Sequence, residues 1–195
     1  MKIIYMDTGN NKKGFTLVEI LVVLVIFSIM LTAITSLFIS GIKVQQNSIA
    51  QEQLIDQLNY AIDYMGRAIM MAKKDKDNSC QTKDDNYSPN SGPSTYLGFV
   101  NQIDGASKCV VFWLDNGRIY KENVKSADRS VASGSPLTSD NIKITTLRFY
   151  ITGDAGNSGV QPKVTILIEA ESKSGSPVQK IKVQTTVSQR DLNKQ

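Results

Sequence analysis

Apolar positions along the chain follow three successive rhythms. From Phe15 to Ile42 apolar residues dominate every face: FTLVEILVVLVIFSIMLTAITSLFISGI. Past Lys43 the pattern becomes amphipathic. Leu54, Leu58, Ala61, Met65 and Ile69 fall on one stripe at helical spacing, reinforced by Ile55 and Ile62. Gln51, Glu52, Asp56, Asp63 and Arg67 lie largely on the other faces. No proline occurs between Phe15 and Ala72, so one helix is predicted across both rhythms, about 87 Å long at 1.5 Å per residue.

After Ser94 the period shortens to two. Ser94 to Gln102, Lys108 to Asp115 and Arg118 to Glu122 read as strands, as do Ile142 to Thr152, Lys163 to Ser172 and Val178 to Gln189. Asp115-Asn116-Gly117-Arg118 offers a tight hairpin, because Asn-Gly tolerates the positive φ angles of a type I′ turn. In the strand from Ile142, Ile142 and Ile144 are out of phase with Leu147, Phe149 and Ile151; a slip at Thr145-Thr146 would restore one buried face, the signature of a β-bulge. Lys73 to Pro93 and Lys125 to Asp140 read as connections, as do the shorter turns Gly153 to Pro162 and Lys173 to Pro177. The fold class is α+β: a long N-terminal helix whose second half packs on one antiparallel sheet.

The first rhythm is long enough to cross a bilayer, for which about 20 apolar residues suffice. Lys12 and Lys13 before it favour a cytoplasmic N-terminus with the remainder outside. Glu19 is the anomaly, since an ionised carboxylate inside an apolar run is expensive and needs a reason. An interfacial glutamate reaching back to headgroups is the simpler explanation, but an ordinary anchor has no use for it. Ser28, Thr32, Ser36 and Ser40 recur every fourth residue; they either line a helix–helix contact or bond back to the preceding turn.

Basic residues, then Gly14-Phe15-Thr16-Leu17-Val18-Glu19 at the head of an apolar helix, resemble the class III signal of type IV pilins and type II secretion pseudopilins. The resemblance is strong from Lys12 to Leu37. It implies a leader, residues 1–14, cut between Gly14 and Phe15 by a prepilin peptidase that also N-methylates Phe15. It further implies a filament-core half at residues 15–42, an amphipathic half at 43–72 and a head at 73–195. Glu19 lies one helical turn beyond Phe15, so the new amine and the carboxylate are placed to neutralise each other, within a subunit or between neighbours. The implied role is a structural subunit, a minor pilin or pseudopilin, assembled with other pilins by an inner-membrane platform and an ATPase. Strand layout and the ending Gln184-Thr185-Thr186-Val187-Ser188-Gln189-Arg190 resemble the J/W branch of minor subunits. The alternative is a tip module for adhesion or DNA uptake on the same filament. Many pilins carry a proline in the core half; this chain has none there, so any loosening would begin at the hydroxyls or at Gly41.

Charge and cysteine content refine this picture only slightly. The net charge of +4 includes +2 from a leader holding Lys2, Lys12 and Lys13 against Asp7, which weakens any case for a nucleic-acid surface. The leader has no apolar region of its own, unlike a secretory signal. Cys80 and Cys109 fit either a disulfide in an oxidising compartment or two buried thiols. Asp75, Asp77, Asp84 and Asp85 do not match an EF-hand loop, so a solvated loop is preferred to calcium. With no histidine in the chain, Ser-His-Asp and Cys-His catalysis and the commonest zinc sets are excluded. No enzyme, metal or cofactor is expected.

Overall fold

The computed structural model describes residues 14–76, 80, 85–89, 92–103, 106–124, 134–153, 160–175 and 177–190, with backbone alone at 102, 103, 106, 107 and 124. Lys12 and Lys13 of the expected leader, Asp77 and Asp84 of the expected loop, and positions 125–133 and 154–159 of the expected connections lie outside them. The chain divides into two compact units, Met1–Val44 and Gln45–Gln195.

One α-helix, α1, spans Leu17–Met70 and belongs to both units. Its start is fixed by Thr16, whose carbonyl accepts from Ile20 N and whose hydroxyl accepts from Glu19 N, both at 3.2 Å. Up to Val44 every described residue of the first unit is exposed. In the second unit the predicted stripe is buried: Leu54, Leu58, Ala61, Met65 and Ile69 all face the core and Ile62 packs against it, whereas Ile55, expected to reinforce the stripe, is 39% exposed because it lies to the side of that face.

The helix stops two residues earlier than the pattern predicts. Ala72 and Lys73 form β1 (Ala72–Lys73), pairing with Asn101 and Val100. The strands that follow are β2 (Gly92–Ser94), β3 (Tyr96–Ile103), β4 (Ala106–Asp115), β5 (Arg118–Val124), β6 (Ser135–Pro136), β7 (Ile142–Thr152), β8 (Lys163–Ser172) and β9 (Lys180–Ser188). They form two antiparallel sheets where one was expected: β1-β3-β4-β5-β6 and β2-β7-β8-β9. The reason lies at Thr95, between β2 and β3. Ser94 Oγ accepts from Tyr96 N at 3.2 Å, bending the chain so that Gly92–Ser94 pairs with β7 while Tyr96–Ile103 pairs with β4. What reads as one strand therefore serves both sheets. β6 was also missed: two residues inside a Ser- and Gly-rich connection carry no alternation to detect.

The two local predictions of backbone geometry are met. Asn116 and Gly117 turn the β4–β5 hairpin with φ of 46° and 74°. The register of β7 against β8 shifts between Ile144 and Thr146, and Ile142, Ile144, Leu147, Phe149 and Ile151 are all buried. The looped-out Thr145 donates its hydroxyl to Glu169 O at 3.1 Å. Inward residues of both sheets, Leu97, Phe99, Phe112 and Ile119 from one and Phe149, Val164, Ile166 and Ile168 from the other, join the helix stripe in one core.

Candidate processing and assembly site

The predicted processing residues sit on the N-terminal segment of the first unit. Gly14 and Phe15 precede α1 and are exposed, Phe15 to 76%. Among the described residues, none lies within 4 Å of a Cβ built on Gly14, so none of them requires glycine there by contact. Glu19 lies in the first helical turn, three residues after the capping Thr16. Thr-x-x-Glu is a capping-box pattern, and a carboxylate there also meets the positive end of the helix dipole. That signal was legible at Thr16 and Glu19 and was overlooked. The bond observed there is made by the Glu19 backbone N–H, and the Glu19 side chain is exposed.

Beyond the first turn the segment presents hydrocarbon all round. Leu21, Leu24, Phe27, Leu31, Ile34 and Phe38 are each close to half exposed or more. An 18-residue window of α1 is apolar enough to cross a membrane, and none of it is buried. The hydroxyls settle into the helix itself. Ser28 bonds to Leu24 O at 2.8 Å, Thr32 to Ile29 O at 2.8 Å, Ser36 to Ala33 O at 2.8 Å and Ser40 to Ser36 O at 3.0 Å. Thr35 does the same to Leu31 O at 2.8 Å. Such back-bonding hides the polar atoms from hydrocarbon and slightly weakens the helix. α1 passes through Gly41 unbroken, with open space where a side chain would be.

In the second unit Cys80 and Cys109 form a disulfide with Cα atoms 4.9 Å apart. Both are buried on the face of β3 and β4 that points away from the main core, in a small cluster with Val100 and Val111. Asp75, expected in a solvated loop, is only 4% exposed; its Oδ2 accepts from Cys80 N at 2.7 Å and its own N–H donates to Asp85 O at 3.0 Å. Its carboxylate braces the segment that carries Cys80. No group of three or more potential metal ligands occurs among the described residues.

A second polar device closes the helix end. Gln189 is fully buried; its Nε2 donates to Ala72 O at 2.8 Å and to Asn86 Oδ1 at 3.2 Å, and Arg190 N donates to Met70 O at 2.9 Å. The Arg190 bond satisfies a carbonyl that the end of α1 leaves without an intrahelical partner, and the Gln189 bonds tie β1 to Asn86 beside it. Nothing local to Gln189 signals this, because its partners are distant in sequence.

Compared with known families, residues 9–35 match the prokaryotic N-terminal methylation motif. The chain carries the class III signal of type IV pilins. That signal implies processing by a prepilin peptidase and assembly with other pilins, and with the apolar helix it fits a membrane-anchored pilin. The match covers the residues just before α1 and the first part of α1, leaving the second unit to be read from its own residues. No curated protein and no solved structure matches the chain.

Proposed function

We propose that this chain is a structural subunit, a minor pilin or pseudopilin, of a membrane-anchored filament. The observation that carries the reading is the coincidence of the methylation signal with a helix segment that is apolar on every face and buried nowhere in its own chain. Lipid before assembly, and neighbouring helices after it, supply the surroundings such a segment needs. The leader stays cytoplasmic, the head lies outside, and a platform protein and an ATPase draw the processed subunit into the fibre. The order of strands and the tail from Gln184 to Arg190 favour the J/W-like branch, in a pilus or a secretion pseudopilus.

Coexpression with a prepilin peptidase tests the first step. Intact mass is expected to show loss of Met1 to Gly14 and one methyl group on Phe15; a cut beyond the apolar segment, or none, overturns the reading. Gly14→Ala is expected to be cut and Gly14→Trp is not, since a partner must approach that backbone closely. Glu19→Gln tests the second step. Cleavage and insertion are expected to persist, while incorporation into a sheared-filament fraction falls, because an unpaired amine in an apolar core costs about 3–5 kcal/mol. Equal incorporation at equal membrane abundance would reduce Glu19 to an interfacial residue.

A further inference from the structure

The head segregates charge between two opposite surfaces. Inward residues of β8 (Val164, Ile166, Ile168 and Ala170) pack in the same core as the buried stripe of α1, so the outward face of that sheet and the solvent face of the helix point away from each other. On the helix side, Glu52, Asp56 and Asp63 are exposed on one stripe opposite Leu54, Leu58 and Ala61, with Arg67 one turn beyond Asp63 leaving the face a net −2. The acids span about 16 Å at 1.5 Å per residue.

On the sheet side, the outward positions of β7, β8 and β9 carry Lys143, Arg148, Lys163, Lys180 and Lys182 against Glu169 and Glu171, a net +3. The two glutamates gather at one end, where Lys182 meets Glu169 at 2.8 Å and Lys143 and Lys180 meet Glu171 at 3.2 and 3.5 Å. At the other end Arg148 and Lys163 form no ion pair among the described residues. Between them lies a flat floor: Tyr150, 40% exposed, and the Thr165–Thr186 hydroxyl pair at 2.9 Å. Register places Arg148 opposite Leu167, four positions from Lys163, or about 13 Å along the strand. The cations therefore extend over a length similar to that of the acidic stripe.

We propose that the outward face of β7-β8-β9 docks the Glu52–Asp56–Asp63 stripe of a second copy of this chain. This rests on the filament-subunit reading and adds the surfaces that meet. Complementary patches on opposite sides of one body give a head-to-tail contact, which does not close on itself and extends into a line. A nucleic acid is the weaker occupant, because two carboxylates interrupt the cationic face and phosphate tracking needs cations without them. The contact is rim-like and wet, so it sets orientation and register more than raw affinity.

The test uses the full chain in bacterial membranes with a prepilin peptidase, in two differently tagged copies. A photoreactive phenylalanine analogue replaces Tyr150. Crosslinking is expected to yield mixed-tag dimers joined to the α1 peptide containing Glu52 to Asp63. Arg148→Glu with Lys163→Glu is expected to lower the dimer about tenfold, and so is Glu52→Lys with Asp56→Lys. All four substitutions in one chain are expected to restore it to within about twofold, and 1 M salt to remove it. All these sites are exposed, and unchanged thermal midpoints would verify that folding is intact. Dimers indifferent to charge reversal, no recovery in the four-site variant, or adducts with nucleic acid in place of peptide overturn the proposal. The same samples report Phe15 processing by mass. A processed chain without charge-dependent dimers removes only this inference, whereas an unprocessed one removes the filament reading and the inference with it.

Discussion

The two halves of α1 are both apolar, yet only the second hides its apolar side chains within the chain. Ile26 is 49% exposed, while Leu54, Leu58 and Met65 are at or near zero. The polar residues differ in the same sense. In the first half Ser28, Thr32, Ser36 and Ser40 turn back on their own carbonyls, leaving hydrocarbon outermost. In the second half Gln57 reaches out to accept from Ser139 N at 3.1 Å, and Tyr64 accepts from Lys121 Nζ at 2.5 Å. The first half is built for surroundings the chain does not provide. The second is the spine of a head that provides its own.

Core truncation breaks this contrast most sharply. Phe149→Ala, at a fully buried site, is expected to lower head stability by about 3–5 kcal/mol in urea unfolding of detergent-solubilised chain. Ile26→Ala is expected to change it by less than about 0.5 kcal/mol. If both cost the same, the halves are not independent. Next comes the disulfide. Replacing Cys80 and Cys109 with alanine opens a closure of 29 residues and should cost roughly 3–4 kcal/mol on the chain-entropy account, again without effect on membrane insertion. Two reactive thiols in denatured, unreduced protein from an oxidising compartment would remove the bridge from the account.

Gln189→Ala follows, at about 1–3 kcal/mol, since it leaves Ala72 O and Asn86 Oδ1 without their buried donor. Hydrogen exchange should quicken at the last turn of α1 and at β1, not in the apolar half. The smallest effect is electrostatic. A hydrogen bond from Lys182, aided by the Thr146 hydroxyl, holds the Glu169 carboxyl below its ordinary 4.5, and Lys143 does the same for Glu171. Both carboxylates thus contribute above pH 4.5, and that contribution fades as pH falls through their lowered values. Lys182, raised above 10.5 chiefly by its bond to Glu169, contributes below that pH and loses its share as pH climbs past it. Both groups are solvent-screened, so the acid limb should be shallow, and shallower still in Glu169→Gln. A steep acid transition unaltered by that substitution would assign the pH dependence elsewhere.

What was legible in the sequence was local or periodic. The buried stripe from Leu54 to Ile69 follows from helical spacing, the Asn116-Gly117 turn from backbone sterics, and the Thr145-Thr146 slip from a phase change in one strand. What was not legible depends on partners far along the chain. No rule of alternation says that Ser94 pairs with Phe149 while Tyr96 pairs with Trp113, so two sheets read as one. Asp75 looked like a solvated acid because its burial depends on Cys80 being drawn in beside it. At the candidate processing site, motif spacing pointed to Gly14, Phe15 and Glu19, but the capping role of Thr16 was missed although the signal is four residues long.

The Gln189 clamp also bears on the timing of folding. Its contacts to Ala72 and Asn86 join positions 117 and 103 residues apart. Contacts of such long separation are slow to form, because the intervening chain must be gathered before they give anything back. Until Gln189 and Arg190 dock, Met70 O and Ala72 O lack these donors, while Ala68 O and Ile69 O are held by Asn101 Nδ2 and the Tyr87 hydroxyl and β1 by its pairing with β3. The helix can form early, but its far end is finished only when Gln189 and Arg190 reach it. A chain truncated after Ser188 should insert normally and still display a frayed helix end, open to proteolysis near Met71.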